Sequence, residues 1–444
     1  MFAAVAALAV LAPVLGDAAA VPFLAVAGLA LVGIREGELF ETLALPGDRE
    51  DRRLYGLAAF ALAGAGLAVF ASIPREPLPY GAFAAAMLAV GVGRLGHAAV
   101  AERSDDPFSR IAGYLAAGFV AAVLGQILVS LSTGVSDLVA ILPRILFLAA
   151  VAVLTAGLVR SLVYDRDAHI TAVVVAFVAW ALGLLVPAVS VAGIAVALAV
   201  TLGLGGVSYA LGAASVPGML TGVLLSLLTV VLGGVGWFLP LIAFYSVGAL
   251  ATKYRFSEKI DRGVAQENEG ARGTGNVLAN SAVGLAALIG FAATHHLGDA
   301  GPSALPPGTL ELLFALAFAG AFATALADTL SSEIGGLYDN PRLITTLKPA
   351  PPGTDGAVTW QGEVAGLAGA LIVAVLAALG MPLGAAGDPL VGGALVAFGG
   401  VAGMTADSLL GALIEGDRIG NQAVNFLATL AGALAAVSVG VVVA

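Results

Sequence analysis

Three clusters of polar residues stand at the ends of apolar runs, at 253–281, 327–370 and 405–432. The second cluster begins ADTLSSEIGG, in which Asp328 and Ser332 are four residues apart and Glu333 follows. On a helix this spacing places a carboxylate and a hydroxyl on one face. Because charges at bilayer depth are expensive, they usually mark a pathway or a reaction site. Arg342 and Lys348 follow in the same loop, and carboxylates beside cations suit a magnesium–phosphate complex.

The third cluster repeats the pattern of the second. ADTL at 327–330 corresponds to ADSL at 406–409, which places Asp407 in the position of Asp328, and Glu415 follows it. A small internal duplication or a pseudo-two-fold site would explain the match, and so would convergence of two helix ends. We expect catalytic roles for Asp328, Glu333 and Asp407, and we expect the metal ligands among Asp328, Glu333, Asp407 and Glu415.

The first cluster has the residue types that bind phosphate. Its basic residues precede an apolar run that opens with Gly273 and Gly275, and a helix N-terminus with nearby arginine or lysine favours anions. The PPGTDG turn at 351–356 offers backbone amides for the same purpose. A basic loop that only sets membrane topology is the alternative. The basic candidates for phosphate binding are Lys253, Arg255, Lys259, Arg272, Arg342 and Lys348.

Two pairs of asparagines, each spaced by four residues, accompany these clusters. Asn276 and Asn280 open the run after the first cluster, and Asn421 and Asn425 open the last apolar run. Each pair shares a helix face, so the amides are expected to contact a substrate. Structural hydrogen bonding between neighbouring helices is the alternative.

The composition identifies the elements that must position these residues. The 444 residues are 60% hydrophobic and 11% charged, with a mean hydropathy of +1.02, whereas soluble domains carry roughly 25% charged residues. The absence of cysteine excludes disulfides and thiolate chemistry. The net charge of −10 argues against a nucleic-acid partner. No GxxxxGK[ST] or GxSxG signature is present, and no GxGxxG follows a strand.

The sequence therefore predicts an all-α, polytopic integral membrane helix bundle of about 12–15 transmembrane helices. Domains are expected at 1–200, an N-terminal transmembrane region of unknown role, and at 201–444, which carries the candidate site. A membrane helix needs about twenty apolar residues. The candidate spans fall near 2–16, 19–34, 54–72, 79–101, 111–131, 138–162, 169–187, 190–207, 217–233, 235–252, 277–294, 309–327, 363–380, 388–406 and 423–443.

The basic residues predict the orientation. With fifteen spans and a cytoplasmic N-terminus, every Lys and Arg except Arg75 and Arg144 falls on or next to the inner face, as the positive-inside rule requires. A multi-pass protein of the cell membrane is expected, with the loops at 253–276, 328–362 and 407–421 in the cytoplasm.

Several motifs together resemble the domain of unknown function 92 family, over roughly residues 200–444. They are NVLANS, ADTLSSEIG, PRLITTLKPAPPGTDGAVTWQGEVAG, DSLLGALIEG and NQAVNFLATLAG. The resemblance carries family site positions onto Lys253, Arg255, Asn276, Asn280, Asp328, Ser332, Glu333, Lys348, Asp355, Asp407, Asn421 and Asn425. One departure is Gln422, which stands beside Asn421 where relatives often have aspartate.

The family includes a plant chloroplast phytyl-phosphate kinase, so the resemblance implies a reaction. An isoprenyl monophosphate of phytyl or geranylgeranyl type would be phosphorylated to the diphosphate by a nucleoside triphosphate, CTP or ATP, with Mg²⁺. The partners implied are this lipid phosphate and membrane lipid. The sequence does not specify an oligomeric state.

Two other functions are compatible with the sequence. Many spans and paired motifs fit a lipid or small-molecule transporter or flippase, although the sites of transporters lie at the bilayer midplane and the polar clusters here lie at one membrane face. A more distant similarity to dolichol kinases and phosphatidate cytidylyltransferases leaves open a lipid-phosphate cytidylyltransferase, which would release pyrophosphate.

Overall fold

The computed structural model describes residues 1–164, 167–185, 190–266, 271–297, 308–386, 388–416 and 418–443. The chain is a polytopic all-α membrane protein, as predicted. It divides into two compact units, Met1–Val196 and Ala197–Ala444. The division falls within the helix Val191–Ala210.

The number of spans is lower than the fifteen on which the orientation was based. Among the described residues, twelve helices are long and apolar enough to cross a membrane. The expected spans near 2–16 and 19–34 are instead one bent pair, Phe2–Ala18 and Val21–Gly33, with a 112° angle between them. Gly16 has a φ of 53° at this break and Pro22 restarts the helix, and both residue types interrupt helices. The span near 169–187 is the shorter helix Ala168–Gly183, and residues 186–187 lie outside the described part.

The first unit continues from the bent pair with a series of apolar helices. Two neighbouring helices of this unit, Tyr80–Ala101 and Pro107–Ser132, approach each other closely at a pair of glycines, where a Cβ at Gly96 would lie 2.2 Å from the backbone oxygen of Gly113. Small residues permit such contacts between membrane helices. The other long helices of this unit are Tyr55–Ser72 and Leu138–Arg160, and the short ones outside the bent pair are Glu38–Leu43 and Asp48–Asp51.

The second unit contains the polar clusters, and its helices are labelled here for the site. They are α1 (Val216–Leu228), α2 (Val235–Lys253), α3 (Thr274–Leu297), α4 (Thr309–Gly335), α5 (Trp360–Gly380), α6 (Pro389–Ile414) and α7 (Asn421–Val443). A π-helical turn, Thr229–Gly233, extends α1, and a short helix, Phe256–Asp261, follows α2. Another short helix, Leu383–Ala386, precedes α6. Between α4 and α5, strands β1 (Arg342–Leu343) and β2 (Ala357–Val358) form a small antiparallel hairpin.

Helix α4 lies at the centre of this unit, and α2, α3, α5, α6 and α7 all pack against it. Its buried aromatic residues form a continuous cluster with those of α2 and α3: the ring centroids of Trp237 and Phe318 are 4.9 Å apart, and those of Phe318 and Phe322 are 4.8 Å apart. Phe244 continues the cluster, 6.0 Å from Phe322. The core therefore leads along α4 to its polar C-terminal end.

Glycines let α5 lie directly on the last turns of α4. A Cβ at Gly366 would lie 3.0 Å from the backbone oxygen of Ala327, and one at Gly369 would lie 3.0 Å from that of Leu326. Helix α5 is capped by Thr359, whose hydroxyl accepts a hydrogen bond from the backbone N–H of Gly362 at 3.1 Å, as an N-cap residue does. These contacts hold the backbone immediately before Asp328.

Candidate functional site

Asp328 and Asp407 meet at the ends of α4 and α6. Their carboxyl groups lie within hydrogen-bonding contact of each other. The approach is determined one helical turn earlier, where a Cβ at Gly403 would lie only 2.1 Å from the Thr324 hydroxyl oxygen. The Thr324 hydroxyl donates a hydrogen bond to the backbone oxygen of Gly320 at 2.9 Å. The two Ala-Asp motifs thus bring their carboxyl groups together because glycine lets α6 pack tightly on α4.

Two further carboxylates lie on the α6 side of this pair. The PPGTDG turn rests on the end of α6, since a Cβ at Gly356 would lie 2.4 Å from both the Ser408 oxygen and the Ala412 nitrogen. Asp355 and Glu415 both act electrostatically on Asp407. Burial raises the pKa of Glu415, and the negative charges of Asp355 and Asp328 raise it further. Asp328, Asp407, Asp355 and Glu415 are called the acidic cluster below.

The acidic cluster fits Mg²⁺ better than a metal that needs a closed protein cage. Oxygen ligands are those that Mg²⁺ prefers, and it usually takes one or two carboxylates and completes its shell with phosphate and water. Asp407 Oδ1 is buried and has no hydrogen-bond partner within the described part of the chain. In that same part, no three His, Asp or Glu side chains gather closely enough to enclose an ion. Asp328 and Asp407 are therefore the pair suited to direct coordination.

Glu333 was expected beside Asp328 and Asp407 as a catalytic carboxylate, and in the structure its side chain forms a buried ion pair with Lys259. Its Oε2 pairs with Lys259 Nζ at 2.5 Å, and the two side chains are only 3% and 1% exposed. Lys259 also donates to the backbone oxygens of Ala251 at 2.7 Å and Thr252 at 3.2 Å, at the end of α2. The ion pair joins the loop after α2 to the end of α4. Glu333 Oε1 is buried without a hydrogen-bond partner among the described residues.

Arg272 lies inside the second unit. It is 7% exposed, and its backbone is held by hydrogen bonds to Ala213 at 3.0 Å and from Ser215 at 3.2 Å. The guanidinium carbon lies 4.7 Å from the ring centroid of Phe244. Asp328 and Glu333 are close enough to act on Arg272 electrostatically.

The other basic candidates are exposed, at the end of α2, in the loop after it and in the β1–β2 hairpin. Arg255 pairs with Glu258, and the ammonium of Lys253 lies 5.5 Å from the ring centroid of Phe256. In the β1–β2 hairpin, Arg342 donates to the backbone oxygen of Leu347 at 2.7 Å, and Lys348 is exposed. These four are accessible from water, whereas Arg272 and Lys259 are buried.

The amides are divided between buried and exposed positions. Asn280 is buried and donates to the backbone oxygen of Asn276 at 2.9 Å. Asn425 is buried, whereas Asn421 is exposed. Gln422 packs over Gly275, where a Cβ would lie 2.5 Å from its side-chain nitrogen, so the beginnings of α3 and α7 touch. Ser332 is exposed and donates to the backbone oxygen of Asp328 at 2.9 Å.

Two features of this region were not expected from the sequence. The Tyr245 hydroxyl and the Ser281 hydroxyl are 3.0 Å apart. Arg262 donates to the Gly336 oxygen at 3.0 Å and to Asp339 at 2.8 Å, which ties the loop after α2 to the loop after α4. Tyr245 lies in an apolar run without a polar motif, so the sequence contained no signal for it. For Arg262 the signal was its position in the basic loop after α2.

Comparison with known proteins places the second unit in a family. The profile of the integral membrane protein DUF92 family matches residues 199–433. An uncharacterized membrane protein of Synechocystis sp., sll0875, is 32% identical over 223 residues, 47% of this chain and 77% of the relative. An uncharacterized membrane protein of Methanocaldococcus jannaschii, MJ0933, is 32% identical over 207 residues, 45% of this chain and 75% of the relative.

A plant relative matches over a shorter region. The chloroplastic protein VTE6 of Arabidopsis thaliana is 34% identical over 161 residues, 36% of this chain and 45% of the relative, so the match spans less than half of VTE6. No solved structure matches the chain significantly. The family match covers more than half of the chain and includes the acidic cluster and Arg272. This protein belongs to the integral membrane protein DUF92 family.

Proposed function

We propose that this protein is a membrane-embedded kinase that phosphorylates an isoprenyl monophosphate to the diphosphate with a nucleoside triphosphate and Mg²⁺. The observation that carries the proposal is the contact between the Asp328 and Asp407 carboxyl groups, with the buried cation of Arg272 close enough to Asp328 to act on it. A carboxylate pair that could hold Mg²⁺, beside a buried cation, suits phosphoryl transfer, since that reaction depends on positioning and charge stabilisation. The plant relative VTE6, a phytyl-phosphate kinase, supports the substrate class.

In the proposed reaction the protein forms no covalent bond to either substrate. An oxygen of the lipid phosphate attacks the γ-phosphorus of the nucleotide, and the bond from that phosphorus to the β–γ bridging oxygen breaks. The nucleoside diphosphate leaves with the electron pair. No general base is needed because the acceptor phosphate is already ionised.

Each group of residues has a part in this scheme. Asp328 and Asp407 would hold Mg²⁺, which when bound would neutralise phosphate charge. The exposed residues Arg342 and Lys348 would attract the nucleotide to the face where the acidic cluster lies. The packed glycine contacts of α5 and α6 on α4 keep the two carboxyl groups in place.

Product analysis tests the proposal directly. Purified full-length protein is incubated with Mg²⁺, geranylgeranyl or phytyl monophosphate, and either ATP or CTP, and the products are identified by mass spectrometry. The expected products are the isoprenyl diphosphate and a nucleoside diphosphate. Formation of a CDP-lipid with pyrophosphate would identify a cytidylyltransferase instead. Movement of the unmodified lipid across a vesicle bilayer, without any product, would identify a transporter.

We also propose that the acidic cluster faces the cytoplasm at the cell membrane, and cysteine labelling tests this orientation. The chain has no native cysteine, so single cysteines report cleanly. Thr345→Cys is exposed in the β1–β2 hairpin, and Pro382→Cys is exposed beyond the opposite end of α5. In intact cells, a membrane-impermeant maleimide is expected to label Pro382→Cys at once and Thr345→Cys only after permeabilisation. The reverse pattern would contradict the orientation.

A further inference from the structure

Arg272 is a buried cation, and part of its guanidinium donates no hydrogen bond among the described residues. The residue is 7% exposed, and its Nη1 is buried without a hydrogen-bond partner among the described residues. Its position is nevertheless fixed, because backbone hydrogen bonds with Ala213 and Ser215 hold the residue. The stacking on Phe244, at 4.7 Å, holds the plane of the guanidinium. The side chain is therefore held in place while part of its donor set is unused.

Such an arrangement is unfavourable for the unliganded protein. Burying a charge without a hydrogen-bonded partner lowers stability, and burial lowers the pKa of Arg272, although arginine stays charged in proteins. Glu333 acts on Arg272 electrostatically, but no hydrogen bond joins the two side chains among the described residues, and Glu333 Oε2 is paired with Lys259 at 2.5 Å. An arginine positioned in this way fits an anion that arrives with a ligand.

The surroundings of Arg272 indicate which anion. The planar guanidinium fork matches phosphate geometry, and Asp328 of the acidic cluster is close enough to act on Arg272 electrostatically. Lys253, Arg255, Arg342 and Lys348 are exposed and are reached from water, whereas the guanidinium of Arg272 is buried against α2. A water-borne nucleotide meets the exposed basic residues first, which leaves the buried guanidinium for the phosphate of the other substrate.

We propose that Arg272 is the receptor for the monoester phosphate of the lipid substrate. This inference rests on the proposed function for the identity of the lipid. It assigns to Arg272 the binding of the lipid phosphate, which is the phosphoryl acceptor in that reaction. The shared chemistry is phosphate, which both the lipid and the nucleotide carry, and the experiment separates the two sources.

The test measures binding by purified full-length protein, without turnover. The probes are geranylgeranyl monophosphate, geranylgeraniol, which lacks the phosphate, and ATP with Mg²⁺. In Arg272→Met the dissociation constant for the monophosphate is expected to rise about 10- to 100-fold, the effect of losing hydrogen bonds to a charged group. Binding of geranylgeraniol and of ATP is expected to stay unchanged. Arg262→Met is the matched control, because Arg262 lies in the same loop as Arg272 and is paired with Asp339. This variant is expected to bind all three probes as the wild type does.

Stability gives a second readout that distinguishes a receptor from a structural arginine. Because the guanidinium is buried and incompletely paired, the unliganded Arg272→Met protein is expected to unfold at the same temperature as the wild type or higher. A structural arginine would give a lower unfolding temperature.

A second variant keeps the charge and moves it. A Cβ at Gly248 would lie 2.7 Å from Arg272 Nη2, so Gly248→Ala displaces the guanidinium and is expected to weaken monophosphate binding in the same direction by a smaller factor. Unchanged monophosphate binding by a folded Arg272→Met protein would overturn the proposal. So would a loss confined to ATP, which would assign Arg272 to the nucleotide. If the wild type binds the monophosphate through Arg272 and forms no diphosphate, the proposed kinase activity fails and the receptor stands.

Discussion

Asp328→Asn is expected to lower turnover by about 100-fold or more, which corresponds to roughly 3 kcal/mol of transition-state stabilisation. The side chain touches that of Asp407 at the point where α4 and α6 meet, and asparagine keeps the size and much of the hydrogen bonding while removing the charge that would hold a metal. Turnover at saturating Mg²⁺ and the unfolding temperature should be measured on the same preparation. Because the change removes one of two adjacent acidic groups, the unfolding temperature is not expected to fall.

The partner aspartate and a double variant make this test specific. Asp407→Asn is expected to give a loss of similar size. If both carboxylates hold one ion, the Asp328→Asn and Asp407→Asn changes together should cost little more than either alone, because groups that act as a unit are not additive. Asp339→Asn is the matched control: this carboxylate is 80% exposed, follows α4 and pairs with Arg262, so turnover should remain close to that of the wild type. Unchanged turnover of Asp328→Asn would remove Asp328 from the reaction.

Hydropathy predicted most of the fold because membrane helices must be long and apolar. The spans near 309–327 and 388–406 correspond to α4 and α6, although each helix extends beyond the apolar run, to Gly335 and Ile414. The polar ends were omitted because hydropathy alone does not show that Asp328 and Asp407 continue a helix. The bend between Phe2–Ala18 and Val21–Gly33 was also missed, since the count of apolar residues is the same for a bent pair as for two spans.

The meeting of Asp328 and Asp407 follows from features visible in the sequence, and the fate of the other charges does not. The ADTL and ADSL repeats suggested that two helix ends carry equivalent carboxylates. Residue type and spacing could not show that Lys259 and Glu333, separated by 74 residues, would pair with each other. The same limit applies to Arg272: a cation in a glycine-rich loop has the same sequence signature whether it is exposed or buried, and only packing on Phe244 distinguishes the two.

Lys259→Met is expected to lower the free energy of unfolding by about 3–5 kcal/mol, because removing one partner of a buried ion pair leaves an uncompensated charge. Glu333, 3% exposed in this pair, would be that charge. The variant also removes the hydrogen bonds to the Ala251 and Thr252 oxygens, which hold the loop after α2. Equilibrium unfolding of the purified protein in a fixed detergent measures the change. Arg255→Met is the matched control, since its pair with Glu258 is partly exposed and such pairs contribute at most about 1 kcal/mol.

The double variant Lys259→Met with Glu333→Leu separates a structural from a catalytic role for Glu333. Replacing both members of a buried ion pair by apolar residues of similar volume is often neutral or stabilising, so most of the lost stability should return. If turnover also returns, the pair serves only to fasten the loop after α2 to the end of α4. If stability returns and turnover stays low, Glu333 acts in the reaction as well, through the Oε1 that Lys259 leaves without a partner. A Lys259→Met protein as stable as the wild type would show that the buried pair contributes nothing to the fold, and the loop would then depend on Arg262 and its bonds to Gly336 and Asp339.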